Sequence, residues 1–190
     1  GIPQSCYDGC EAVLTDEMIR EFIPERKTVS HKGSYGSLLN IAGSARYTGA
    51  ALLSTDAALH MGVGLCTLAT PARVVNAIAS AVPETTYLPL DCGDDGFLNS
   101  NGTAELKRFL TDGKFSAVSI GCGLGNSAET ADATEFVIKN ADCPVIVDAD
   151  GLNAISPNIN VLKESKKGVI VTPHPAEFSR MTGKTVAQIQ

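Results

Sequence analysis

Four short stretches of the 190-residue chain set residue types capable of chemistry directly against apolar runs. In VIVTPHPAEF (169–178), His174 stands between Pro173 and Pro175, with Glu177 three residues on. Proline suits the first turn of a helix and a carboxylate suits the same positive end, so the imidazole faces a helix N-terminus. It could donate to a phosphate or a hydroxyl, or only cap backbone N–H groups. In VIVDADGLNAIS (145–156), Asp148 and Asp150 end a buried-strand pattern. An ionised group there must be hydrogen-bonded, paired or open to a ligand, so a magnesium or water contact, a ligand hydroxyl, or a helix cap by Asp150 are all open. In GCGLGNSAE (121–129), three glycines can expose backbone N–H groups at a helix start and form an anion site. In AGSARYTGAA (42–51), Gly43 and Gly49 permit tight backbone geometry, Thr48 can cap an alanine-rich helix, and the small residues allow close approach of a ligand or a packed backbone.

All four stretches follow apolar runs. The runs cover 37–42, 64–70, 85–90, 117–121, 144–150 and 168–172, and helix-period stretches lie between them at 48–61, 71–82, 103–112 and 126–140. Near-continuous apolar strands alternating with helices predict a three-layer α/β fold, its mostly parallel central sheet dry on both faces. Ligands of such sheets bind outside the carboxyl ends of the strands, where the four stretches fall. The HKGSYG segment, with His31 and Lys32, precedes the first strand and reads as a surface turn. Residues 1–30 form a polar lead-in to a single domain over 31–190, broken by a short helix pattern in which Thr15 precedes Met18, Ile19 and Phe22.

Composition narrows the chemistry. The net charge is −6, which gives no general attraction to nucleic acid or to an anionic membrane. No apolar run approaches the roughly 20 residues of a bilayer span, and the N-terminal residues lack a basic stretch followed by an apolar one, which predicts a cytoplasmic protein. Cys6, Cys10, Cys66, Cys92, Cys122 and Cys143 are scattered without a CxxC pair, and His31 and His60 stand alone, so buried free thiols are expected and no protein-held metal site. The dinucleotide fingerprint GxGxxG is met at Gly121 and Gly123, but Asn126 takes its third glycine, and several strands precede it instead of its opening the domain. The phosphate-loop pattern GxxxxGK[ST] is missing.

The segment 31–71, followed in order by GCGLGNS, VIVDADGLNAIS and VIVTPHPAEFSRMTG, resembles the ADP- or ATP-dependent NAD(P)H-hydrate dehydratases of the ribokinase-like superfamily. The opening GIP and its polar linker resemble the junction after the epimerase domain in bifunctional forms. The resemblance implies a repair reaction: hydrated NADH or NADPH is returned to the reduced cofactor, driven by hydrolysis of ADP or ATP, with Mg2+ expected beside the nucleotide. The ring hydroxyl would be phosphorylated and phosphate, a better leaving group than hydroxide, expelled. It also implies that Ala50, Gly123 and His174 contact the hydrated cofactor, and that Asp148, Asp150 and Asn153 line the same cleft. The family's Lys-Gly nucleotide segment and its GTGD motif, which carries the catalytic base, do not occur here, so the chain is expected to be a portion of a longer protein. Two other readings share the fold: a small-molecule kinase acting on a vitamin precursor, and a non-catalytic nucleotide-binding module. A Rossmann oxidoreductase ranks behind both. Helical outer layers with apolar patches favour a homo-oligomer.

Overall fold

A computed structural model describes residues 15–23 and 25–190. Cys6 and Cys10 lie outside the described residues. The chain divides into two compact units, 1–30 and 31–190. Of the first, helix α1 (Asp16–Phe22) is described; the Thr15 hydroxyl caps it by accepting the Met18 N–H at 3.3 Å, as the sequence pattern predicts.

The second unit is a six-stranded parallel sheet: β1 (Ser37–Ile41), β2 (Leu65–Pro71), β3 (Thr86–Leu90), β4 (Ala117–Ile120), β5 (Val145–Val147) and β6 (Val169–Val171). Helices α2 (Thr48–His60), α3 (Ala72–Ile78), α4 (Ser100–Asp112), α5 (Ala128–Asn140) and α6 (Ala149–Ile155) separate or follow the strands. The chain closes with α7 (Pro175–Thr182) and α8 (Val186–Ile189). His31 and Lys32 sit exposed at a single 3₁₀ turn before β1, which bears out the surface-turn reading.

Both faces of the central strands β2, β1, β4 and β5 are covered, which is why they read as apolar runs and not as alternating ones. Under α2 and α3 a small cluster forms from Ala42, Ala51, Leu68, Val74 and Ile78. On the opposite face Leu39, Ile41, Ile120, Val137, Leu152 and Ile155 belong to the larger core, each with no exposed surface. Asn40 is the exception within β1. Its amide donates to the Ser54 hydroxyl at 2.8 Å and to the Thr55 hydroxyl at 3.1 Å, while Ser54 in turn donates to the Ala50 carbonyl at 2.8 Å. This chain of bonds fixes the first turns of α2 against the sheet. Asn40→Ala is expected to cost about 2 kcal/mol, because the buried Thr55 hydroxyl and the half-buried Ser54 hydroxyl lose their donor. Urea unfolding measures it, and a midpoint equal to that of the parent would show that α2 is held by apolar packing alone.

The strand order is β3-β2-β1-β4-β5-β6. Chain direction of winding therefore reverses between β1 and β4, and in open parallel sheets the ligand crevice forms at such a switch point, outside the carboxyl strand ends.

Candidate active-site rim at the sheet switch point

The loops leaving β1 and β4 meet at that reversal. Gly43 N–H donates to the Cys122 carbonyl at 2.8 Å, Gly121 N–H to the Ile41 carbonyl at 3.2 Å, and the Ser44 hydroxyl to the Gly123 carbonyl at 2.8 Å. Gly43 has φ +85°, and a Cβ there would stand 2.6 Å from that of Ala51, so the backbone conformation and the packing both require glycine. Gly49 meets nothing within 4 Å and carries no such requirement. Thr48 does not cap α2 with its side chain: the N-cap residue is Tyr47, which also makes no side-chain cap bond.

Gly123, at φ +68°, packs directly on α2. A Cβ at this position would lie 2.6 Å from the Ala50 Cβ and 2.8 Å from that of Tyr47. Ala50 and Gly123, 73 residues apart in the chain, are thus neighbours across the switch point.

Asp148 and Asp150 join the same rim in different ways. Asp148, not Asp150, is the N-cap of α6. One of its oxygens accepts the Ala149 N–H at 2.8 Å, and the other accepts the Cys122 thiol at 3.4 Å. Both oxygens have protein partners. Asp150 uses one oxygen to accept the Gly125 N–H at 2.8 Å and so ties α6 to the glycine loop, which leaves its second oxygen for a ligand. Between the two carboxylates Ala149 has φ +47°, a left-handed conformation that costs an L-residue of order 1 kcal/mol or more and is held by the bonds on either side. Burial and the neighbouring Asp148 carboxylate push the Cys122 thiol up to about 12, so it is a hydrogen-bond donor and not a nucleophile.

His174 stands at the carboxyl end of β6, on the same edge of the sheet, as the N-cap of α7. Its Nδ1 accepts the backbone N–H groups of Ala176 at 3.2 Å and Glu177 at 3.4 Å. Its Nε2 lies 3.2 Å from one oxygen of Glu177, whose other oxygen accepts the His174 N–H at 3.0 Å. An accepting Nδ1 places the ring proton on Nε2, facing the carboxylate. Glu177 is only 5 % exposed, whereas the imidazole is mostly open to solvent. The capping alternative weighed for this histidine is thus what the geometry contains, with Glu177 as the unforeseen partner. Asn153 is drawn toward the same helix, its side-chain oxygen accepting from Arg180 Nε at 2.8 Å.

His174→Ala is expected to lose about 1 kcal/mol of stability with the cap. His174→Asn keeps a capping oxygen and should recover most of it. If the ring also touches a ligand, both variants lose turnover; recovery of turnover by asparagine would assign the ring to capping alone.

Phe97 completes the rim from outside the four stretches, while Ser44, Arg46 and Cys122 lie within them but were not themselves singled out. Phe97 comes from the loop after β3, and a Cβ on Gly125 would fall 2.3 Å from its ring. The Arg46 guanidinium stands 6.0 Å from the centre of that ring. Among the described residues no group of three or more His, Cys, Asp or Glu could hold a metal ion. Asp150, whose second oxygen is engaged by no described residue, offers a single carboxylate contact, which fits Mg2+ carried mainly by nucleotide phosphates and water.

A six-stranded parallel sheet with helices on both faces and a glycine-lined crevice at its switch point is a ribokinase-like α/β architecture, as comparison with solved structures bears out. A ribokinase-like superfamily protein of Enterococcus faecalis superposes with a TM-score of 0.79 at 23% identity over 93% of this chain and 58% of the other, a likeness of fold. The ADP/ATP-dependent NAD(P)H-hydrate dehydratase of Bacillus subtilis, co-crystallized with ATP/Mg2+, superposes with a TM-score of 0.75 at 36% identity, covering 93% of this chain and 57% of that one. The family model for NAD(P)H-hydrate dehydratase matches residues 38–190. The chain belongs to the NAD(P)H-hydrate dehydratase family. Relatives include the ADP-dependent (S)-NAD(P)H-hydrate dehydratase of Bacillus subtilis, 37% identical over 93% of this chain and 58% of its own length. The bifunctional NAD(P)H-hydrate repair enzyme Nnr of Moorella thermoacetica is 34% identical over 94% of this chain and 33% of its own. The chain therefore spans between a third and three-fifths of these relatives.

Proposed function

We propose that the protein is, or is part of, an enzyme of nicotinamide cofactor repair that dehydrates the hydrates of NADH and NADPH with hydrolysis of ADP or ATP. The observation that carries this reading is the packing of Ala50 against Gly123 across the β1–β4 switch point, in a chain whose residues 38–190 match the dehydratase family model. Ala50, Gly123 and His174 would contact the hydrated ring and its ribose. Asp150 would present its free oxygen to a hydroxyl. Asn153 would line the cleft beside it, and Asp148 would act chiefly by holding the glycine loop and the start of α6 in place. The nucleotide supplies the phosphoryl group that turns a poor leaving group into a good one, and Mg2+ accompanies it. Residues 1–30 serve as a lead-in to the domain formed by 31–190, which works in the cytoplasm as a homo-oligomer. No helix among the described residues is long and apolar enough to cross a membrane.

Incubation of the full-length protein with hydrated NADH and either ADP or ATP tests the reading directly. Recovery of the near-ultraviolet absorbance of the reduced ring is the expected result. No recovery with either nucleotide would remove it, and accumulation of a phosphorylated vitamin precursor would favour the kinase alternative.

A further inference from the structure

We infer that Arg46 is the residue that receives a phosphate of the dinucleotide substrate; the inference rests on the dehydratase reading and adds a binding residue to it. The substrate of that reaction is a polyanion, while the chain carries a net charge of −6 and brings two carboxylates, Asp148 and Asp150, to the rim itself. Binding therefore needs a local cation whose N–H donors are not already engaged. The cationic side chains at this edge of the sheet differ in this respect. Arg180 donates to Asn153 at 2.8 Å, and Arg73 to the Asp94 carbonyl at 3.2 Å. His174 is held in its cap by Glu177 and two backbone N–H groups. Arg46 makes neither an ion pair nor a hydrogen bond with any described residue, and its guanidinium meets only the Phe97 ring.

Its backbone is nevertheless anchored. Arg46 lies in the β1–α2 loop, four residues before Ala50 and next to Ala45, whose N–H donates to the Gly96 carbonyl at 3.0 Å. The guanidinium rests near the face of Phe97, and Phe97 is wedged against Gly125 of the glycine loop. Stacking on an aromatic face leaves the guanidinium edge, with its forked N–H groups, free for bidentate contact with phosphate. The cation is thus carried by the β1–α2 loop of the switch point and set over a ring of the β3–α4 loop, which itself packs against the glycine loop.

The test compares the full-length enzyme with its Arg46→Gln and Arg46→Lys forms, on hydrated NADH and hydrated NADPH. Loss of one charge-assisted phosphate contact is expected to raise KM about tenfold in Arg46→Gln with kcat unchanged, and lysine should recover part of the loss. The effect should shrink as salt is raised. An equal loss on both substrates assigns the contact to the shared pyrophosphate; a loss confined to hydrated NADPH assigns it to the additional ribose phosphate. Unchanged KM on both, or a fall in kcat accompanied by a lower unfolding midpoint, overturns the inference. Binding of ADP-ribose, measured in parallel by calorimetry, separates the two claims. Arg46-dependent binding without any turnover by the parent enzyme would sink the dehydratase reading and leave the phosphate contact standing.

Discussion

Gly121→Ala is expected to lower the stability of the domain by about 3–5 kcal/mol, the sum of overpacking and of a backbone conformation closed to L-residues. Gly121 has φ +130° at the tip of β4, and a Cβ there would stand 1.9 Å from the Asp148 carbonyl oxygen and 2.8 Å from the Gly151 nitrogen. Neither neighbour can retreat easily. Asp148 N–H donates to the Ile120 carbonyl at 3.1 Å, and its carbonyl accepts the Gly151 N–H at 2.9 Å, so the obstructing atoms belong to the junction between β5 and α6. Moving them would strip hydrogen bonds from the first turn of a helix whose Leu152 and Ile155 are fully buried. Against a typical total of about 5–15 kcal/mol, such a loss leaves little folded margin. Urea unfolding followed by circular dichroism reads it out, and a change below about 1 kcal/mol would mean that the tips of β4 and β5 can part without penalty.

The second large effect falls on function. Gly123→Ala should lower kcat/KM for the hydrated cofactor by about 100-fold, the penalty associated with displacing a site by about 1 Å. The added methyl group would sit 2.6 Å from the Ala50 Cβ and 2.8 Å from the Tyr47 Cβ, so α2 and the glycine loop must separate by roughly that amount to restore ordinary contact. A second substitution isolates the cause. Ala50→Gly removes one of the two obstructing carbons, and the double variant should regain part of the loss while keeping the strain of φ +68°. Equal activity in the single and double variants would show that steric crowding across β1 and β4 is not what shapes the crevice.

How much of this could be read from the chain depends on the physical origin of each feature. All six strands were legible as apolar runs: burial on both faces accounts for runs such as VIVDAD, whereas GVIVT forms the edge strand β6, where Ile170 is 56 % exposed. Element ends were less so. Helix α4 begins at Ser100 instead of 103 because the Asn99 side chain accepts the Gly102 N–H at 2.9 Å, a cap hidden in a run of polar and small residues. The positions of Ala50, Gly123 and His174 at carboxyl strand ends followed from the alternation of elements. Their bonding did not. The capping role of Asp148, the left-handed Ala149 and the Glu177–His174 pairing are three-dimensional agreements between groups whose sequence signals permit several outcomes. Phe97 was invisible for another reason: its partner is the missing side chain of a glycine, and an absence has no pattern to detect.

The thiol of Cys122 has a bearing on durability. Peroxides and electrophiles attack the deprotonated sulfur, and burial together with the neighbouring carboxylate keeps this one protonated at neutral pH. The thiol nearest the rim is thus shielded from oxidants chiefly by its burial, and further by the aspartate next door.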